Sequence, residues 1–575
     1  MQLPPRVKPA QIPAHETADP VSIVGQRAQT LAVTRWRIQL LVLAIVLGFL
    51  VIALRLWSLG AAEVNSQARG SALNAALASR PVVYDRNGII MAIDILVPSL
   101  FAEPRRIVDV EEAAQAVHTV LPQLELAWLR KRLSGDSGFA WIARELTPKI
   151  QTDLMRLGIP GLDFVTETKR FYPAYRQAAH VMGAANIDNI GIAGIEHYID
   201  RSRDVVLLQE LGLARAATLE PVSLSLDMRV QNILHNQLAD ALIRYQAIAG
   251  AGALIDVQSG EIIALVSLPD FDPNHPSQML ESGRFNRITA AKFEPASIFK
   301  PLTIAAALDA GAVTLHDQVD ARTPVRFGRH SISDYYGKYR HLTVPEVLVH
   351  SSNIGTVRIA ERLGAENFRE FLTRIGMDVP PVIELPEVTA PVVPKAFSAV
   401  TAATVSFGHG LSVTPLQMLT ATAALVNGGH LPTPTLIANA GDNTSEMKRV
   451  IKAHTSLQMR YLLRLNALDG SARRANNLAE GYRLGGKTGT AEKVVAGRYS
   501  SEKVTTFFSS AFPLDAPRYA MLIMIDEPKR EQPGSGRTAA YNAGDVTGRV
   551  LQRIAPMLGI VPSEWTNVPA ALLER

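Results

Sequence analysis

Residues 286–301 read NRITAAKFEPASIFKP. Glu294-Pro295-Ala296 breaks the chain, and an apolar, helix-compatible run over 302–308 follows, closed by Gly311. Proline ahead of a helix and glycine behind it are the expected punctuation. Ser297 and Lys300 stand at the start of that helix, three apart and on one face. A helix start offers unpaired N–H groups and partial positive charge, which favour an oxyanion forming at a carbonyl that Ser297 attacks. Pro301 has no N–H, so the Ser297 carbonyl loses its usual i+4 donor and the first turn is expected to be irregular. Serine is a weak nucleophile until a base takes its proton. No histidine is adjacent, so Lys300 is the candidate base, and it must be neutral to act. Burial and a second nearby cation both lower the pKa of a lysine.

The pattern S-x-x-K also occurs at Ser445/Lys448 and Ser500/Lys503, in polar stretches. Alone it carries little. Two further motifs follow it. Ser351-Ser352-Asn353 succeeds a helical segment over 344–350. By itself this is a polar turn or a helix N-cap. As a functional element, Ser351 would pass a proton between Lys300 and an amine, and Asn353 would hold a substrate amide. The third motif is Gly485-Gly486-Lys487-Thr488-Gly489-Thr490. Glycine within a strand, as at Gly489, often marks close approach of a ligand backbone. Thr488 and Thr490 share one strand face. Their hydroxyls can bind a carboxylate, and the Thr490 N–H can complete an oxyanion hole with that of Ser297. Lys487 supplies the second cation, but its parity is opposite, so strand geometry alone does not bring it into the same cleft.

Around these motifs lie five candidate strands. Residues 251–257 and 261–267 are β-prone runs joined at Gln258-Ser259-Gly260, a hairpin. Residues 483–494, 505–512 and 519–526 are three more with short connections, which favour antiparallel neighbours. A sheet assembled from both ends of a domain around a helical middle is α+β, or mixed α/β. Upstream, residues 80–88 (RPVVYDRNG) read as a strand ending in an Asn-Gly turn, and 111–133 as an amphipathic helix. That region shows no catalytic constellation and reads as a support or docking domain.

Composition narrows the class. The chain has 575 residues, 47% hydrophobic and 19% charged, so a large core is available. Lys and Arg total 58 against 53 Asp and Glu, a net charge of +5. With no basic patch interleaved with aromatics, nucleic acid is not expected as a partner. Cysteine is absent, which removes disulfides, thiolate metal sites and cysteine nucleophiles, and suits an oxidising compartment. The 13 histidines show no HExxH-type spacing, so no metal site is expected.

Residues 38–54 (IQLLVLAIVLGFLVIAL) carry no charge. At about 1.5 Å per residue they nearly span a bilayer core. Arg37 and Arg55 can snorkel at the ends, with Trp36 and Trp57 in the interfaces. The preceding segment carries Arg6, Lys8, Arg27, Arg35 and Arg37, which places the N-terminus in the cytoplasm and the bulk of the chain outside.

The order S-x-x-K, S-x-N, K-T-G resembles the penicillin-binding proteins and serine β-lactamases, and more closely the class B penicillin-binding proteins of the division type. The likeness extends to RPVVYDRNG at 80–88, RFYP at 170–173, GIAGIE at 191–196, LSLDMRVQ at 224–231, SLPDFDPN at 267–274, SFGHGLSVTPLQ at 406–417 and GGKTGTAEK at 485–493. Two departures stand out: Ala296 where the family has Gly, and unfamiliar wording over 537–550. The resemblance implies a five-stranded antiparallel sheet flanked by helices. The implied organisation is a disordered tail over 1–35, an anchor over 36–59, a pedestal over 60–220, a transpeptidase domain over 221–560 and a tail over 561–575. It implies septal peptidoglycan D,D-transpeptidation at the bacterial inner membrane, with Ser297, Lys300, Ser351 and Lys487 catalytic. Asn353, Thr488, Gly489 and Thr490 would bind substrate. No cofactor is required. Partners would be D-Ala-D-Ala stem peptides, β-lactams, a glycosyltransferase that polymerises lipid-linked precursor, and other division proteins. An elongation-type transpeptidase, a D,D-carboxypeptidase, a β-lactamase, a β-lactam sensor and a non-catalytic division scaffold are the alternatives.

Overall fold

An apolar run without alternation suits a strand covered on both faces. Tyr519–Asp526 (YAMLIMID) is such a strand in the computed structural model, with every residue buried. The structure describes residues 39–54, 80–201, 219–328, 330–438, 447–495 and 497–563. The chain divides between Leu73 and Asn74 into two units. In the first, residues 39–54 are helical, with exposed side chains. No helix among the described residues is long and apolar enough to cross a membrane. Both flanks of the expected anchor, 36–38 and 55–59, lie outside the described residues, as do the tail over 1–35 and most of the tail over 561–575.

In the second unit, β1 (Val83–Tyr84), β2 (Ile90–Ala102), β3 (Ala140–Ala143), β4 (Leu162–Phe171) and β5 (Val222–Ser223) make one sheet. Its order is β3-β2-β1-β5, with β4 also paired to β2. The Asn-Gly turn after β1 forms as expected. The Asp85 carboxylate accepts the N–H groups of Asn87 and Ile89, each at 2.8 Å. The single helix expected over 111–133 is two, α1 (Val110–Val120) and α2 (Leu126–Leu133). Pro122 follows directly on the C-cap of α1, and a proline cannot continue a helix.

The upstream segments with family wording converge on one buried ion cluster. Arg80 and Arg170 both pair with Glu196, at 2.8 and 2.7 Å, where helix α3 (Gly194–Arg201) begins. Arg170 also meets Asp94 at 3.0 Å. Burial raises the pKa of a carboxyl, but the two facing guanidiniums outweigh it and hold Glu196 below its ordinary range. Beside the cluster, Tyr172 and Asn274 exchange two hydrogen bonds of 3.0 and 3.1 Å, joining the RFYP segment to FDPN.

The second sheet contains β6 (Ala249–Asp256), β7 (Ile262–Leu268), β8 (Gly485–Val495), β9 (Arg498–Phe512) and β10 (Tyr519–Asp526). The order is β8-β9-β10-β6-β7, antiparallel throughout. These are the five strands expected, gathered from both ends of the domain. Helix α4 (Met228–Arg244) packs on one face, pinned to β7 by Gln231, which bonds both polar groups of Leu265 at 2.8 Å. Helix α5 (Lys300–Asp309) lies in the core on the other side with α8 (Pro415–Val426) against it, and both are buried over their whole lengths.

The unfamiliar wording over 537–550 folds into a 3-10 turn and helix α10 (Ala543–Ile554). Its Asp545 accepts hydrogen bonds from Arg244, Arg474, Arg549 and Tyr245.

Removing one partner of a buried ion cluster leaves an uncompensated charge. Glu196→Ala should therefore lower stability by about 3–5 kcal/mol in denaturant unfolding. Glu111→Ala, which breaks the exposed Glu111–Arg130 pair, should move the midpoint little. Because folding depresses the Glu196 pKa, its contribution is present above the ordinary carboxylate range and is lost as pH falls through the folded value.

Candidate active site

The turn that bears Ser297 is a 3-10 helix, Ala296–Phe299, and the α-helix begins only at Lys300. This is the irregular first turn expected from Pro301. Residues three apart eclipse in a 3-10 turn, which keeps Ser297 and Lys300 on one face. Ala296 enters the turn with φ at +49°, a left-handed conformation that glycine adopts without strain. Its N–H donates to the Gly408 carbonyl at 3.0 Å. A Cβ on Gly408 would stand 2.1 Å from the Ala296 oxygen, so Gly408 is required by this close approach.

Lys300 is fully buried. Its Nζ donates to the Ser351 carbonyl at 2.5 Å and to Ser351 Oγ at 3.1 Å. Burial drives its pKa well below the ordinary lysine value, and repulsion from Lys487 adds to this, while Asp334 opposes it. Ser351, with φ at +55°, links α6 (Val344–Val349) to α7 (Asn353–Leu363). Ser352 is the N-cap of α7, accepting the Gly355 N–H at 2.9 Å. The Asn353 amide donates to the Ser333 carbonyl at 3.0 Å.

Lys487 sits on β8, an edge strand. Burial pushes its pKa down to about 7. Its Nζ bonds to Ser471 Oγ at 3.2 Å and to the Thr488 carbonyl at 3.0 Å. Strand parity comes out in a definite sense. Gly489 presses on the turn of Ser297: a Cβ there would lie 3.0 Å from the Pro295 oxygen and 3.1 Å from the Ile298 nitrogen. Lys487 shares that face by alternation. Thr488 and Thr490 share the other. Thr488 pairs across the sheet with Phe508, which packs in the same apolar layer as α10, and Thr490 Oγ1 accepts the Ala539 N–H at 3.2 Å. Thus the face toward the nucleophile turn carries the lysine rather than the threonines, while Thr490 stays half-exposed.

Several positions around the site were not singled out in the sequence. Asp334 accepts Ser352 Oγ at 2.7 Å and the Ile354 N–H at 2.9 Å, fixing the start of α7. It lies in a loop 18 residues from its partner, and no local pattern marks it. Asn466, in helix α9 (Ala453–Asp469), donates to the Gly486 carbonyl at 2.6 Å and to Ser471 Oγ at 3.2 Å, placing the partner of Lys487. Glu294 accepts the Gly410 N–H at 2.9 Å and the Tyr499 hydroxyl at 3.0 Å, and meets His409 Nδ1 at 3.2 Å. This ties the nucleophile turn to the β8–β9 hairpin. Gly408→Ala combines a steric clash with a left-handed φ, and should cost about 1–3 kcal/mol in thermal unfolding. Ala296→Gly should stay within about 1 kcal/mol of the parent, since relief of strain offsets lost burial.

The penicillin binding protein transpeptidase domain matches residues 250–551. A probable peptidoglycan D,D-transpeptidase FtsI of Caulobacter vibrioides is 34% identical over 490 residues, which cover 84% of this chain and 82% of the relative. A probable peptidoglycan D,D-transpeptidase PenA of Neisseria gonorrhoeae is 32% identical over 511 residues, 85% and 86% of the two chains. The peptidoglycan D,D-transpeptidase FtsI of Escherichia coli is 28% identical over 499 residues, 82% and 83%. In fold, the chain is similar to a solved peptidoglycan synthetase from Bifidobacterium adolescentis. The TM-score is 0.65 at 20% identity, over 86% of this chain and 98% of that one. With the domain match spanning half the sequence and these relatives matched over most of their length, the chain belongs to the penicillin-binding protein transpeptidase family, as a class B member of the FtsI type.

Proposed function

We propose that the protein cross-links peptidoglycan stem peptides through an acyl-enzyme at Ser297. The observation that carries the reading is the buried Lys300 amine, bonded to Ser351 and repelled by Lys487, at the foot of the turn that bears Ser297. Ser297 Oγ attacks the carbonyl of the D-Ala-D-Ala bond and gives its proton to neutral Lys300. The N–H groups of Ser297 and Thr490 hold the oxyanion. As the C–N bond breaks, Ser351 relays a proton to the leaving D-Ala amine. An amine of a neighbouring stem peptide then attacks the ester, returns a proton to the Lys300–Ser351 pair and frees Ser297. Asn353 holds a substrate amide. A peptide backbone would lie as an added strand along the free edge of β8. Thr490 would hold the substrate carboxylate through its half-exposed hydroxyl, whereas Thr488 is buried on the far face of β8 and supports the strand. β-Lactams enter by the same attack on Ser297.

The setting is the septal wall of a dividing bacterium. Residues 36–59 anchor the chain in the inner membrane with the N-terminus in the cytoplasm, as the basic flank supports. Residues 60–220 serve as pedestal, docking a glycosyltransferase that extends the lipid-linked strand and other division proteins. Residues 221–560 carry the transpeptidation.

Labelling of the full chain with fluorescent penicillin tests this. Ser297→Ala should abolish a long-lived adduct. Rapid turnover of the adduct would point to a β-lactamase instead, and no adduct on folded protein would overturn the acyl-enzyme. The pH profile should bear the mark of the two lysines. Lys300 must be neutral, so labelling falls on the acid side as it gains a proton. Lys487→Gln removes a repelling charge, Lys300 then holds its proton to higher pH, and the acid limb moves upward. The displacement should fade above about pH 7, where Lys487 is itself losing its proton.

A further inference from the structure

The loop that follows the short strand His330–Ile332 places three tyrosines in solvent. Tyr335, Tyr336 and Tyr339 are 82%, 76% and 68% exposed. Their arrangement is built. The rings of Tyr335 and Tyr336 meet edge to face, with centroids 4.7 Å apart. Tyr339 takes a left-handed φ of +51°, and its ring covers Gly337, where a Cβ would fall 2.7 Å from the ring. Gly337 is the gap onto which that ring folds. At its root the loop is bonded to the second motif, Ser333 to Asn353 and Asp334 to Ser352 and Ile354.

Clustered aromatic surface in water marks a contact site. The chemistry of the patch selects its occupant. The loop exposes no aliphatic side chain over 333–340 (SDYYGKYR), only aromatic rings carrying hydroxyls, with Lys338 and Arg340 beside them. A tyrosine offers an apolar face and a polar tip. A pyranose ring offers the complement, a face of C–H groups and a rim of hydroxyls. Position agrees: a stem peptide reaches at most about 3.3–3.6 Å per residue, so the sugar that bears a reacting peptide lies only a few residues' length from Asn353.

We propose that Tyr335, Tyr336 and Tyr339 form a platform that stacks the saccharide of the uncross-linked peptidoglycan strand and presents its stem peptide to the site. The proposal rests on the transpeptidase reading above. It makes the loop a determinant of polymeric over small substrates.

The test compares three substrates on the full chain, on Tyr335→Ala/Tyr336→Ala and on Tyr335→Phe/Tyr336→Phe. They are fluorescent penicillin, a sugar-free D-Ala thioester depsipeptide, and isolated glycan strands bearing uncross-linked stem peptides. The alanine pair should keep penicillin labelling and depsipeptide turnover, and raise the KM for strands about tenfold, the loss of roughly one stacking contact per ring. The phenylalanine pair should retain most of the strand affinity, because the ring face makes the contact. An equal fall on all three substrates would overturn the proposal and make the loop a support for Asn353 alone. Unchanged strand kinetics in the alanine pair would also overturn it, and would leave the patch to a protein partner. Absence of penicillin labelling in the unaltered chain is a separate result, and would sink the transpeptidase reading itself.

Discussion

Two buried lysine side chains, Lys300 lowered in pKa by its burial and by the charge of Lys487, set the terms for the rest of this structure. Removing an ammonium from water is costly, and two in one place cannot both keep their protons. Burial drives the Lys300 pKa well below its ordinary value, with repulsion from Lys487 adding to the fall, and burial brings Lys487 to about 7. The neighbours then have to be polar, fixed and few. Ser351 receives Lys300, and Ser471 receives Lys487. Both amines are thereby held where losing a proton costs less than it does in water.

Holding two desolvated amines in place requires rigid walls. Helix α5 provides one, buried over all its residues, with the nucleophile turn continuous with its start. The sheet provides the other, reaching the turn at Gly489, while the loop at Gly408 closes on the turn from another side; neither glycine has a side chain to block the approach. The Asp334 carboxylate fixes the third wall by capping α7. It also stands near enough to Lys300 to oppose the fall of its pKa, so its placement bears on both shape and charge. Away from the cleft, the cluster of Arg80, Arg170, Glu196 and Asp94 shows a different use of buried charge. There the ions are paired in full, and the chemistry is structural.

Much of this was legible in the chain. The strand over Tyr519–Asp526 announces itself as an apolar run, and the hairpin at Gln258-Ser259-Gly260 by its turn residues. Pro301 foretold the irregular turn. The helix over 111–133 was misjudged because the amphipathic period continues past Pro122, where the backbone cannot follow. The stretch over 537–550 was opaque because its role depends on arginines from distant segments that gather on Asp545.

Periodicity, turn chemistry and side-chain type are local properties, so the chain alone reveals most of its elements and all three motifs. Tertiary structure decided what those motifs face. Strand alternation separates Lys487 from Thr488 and Thr490, but only the packing of β8 against the nucleophile turn says which face receives the lysine. Likewise, a lysine three residues from a serine is ordinary until its water is removed. Desolvation and the charge of a residue 187 positions away are properties of the folded interior, where distance along the chain no longer measures distance in space.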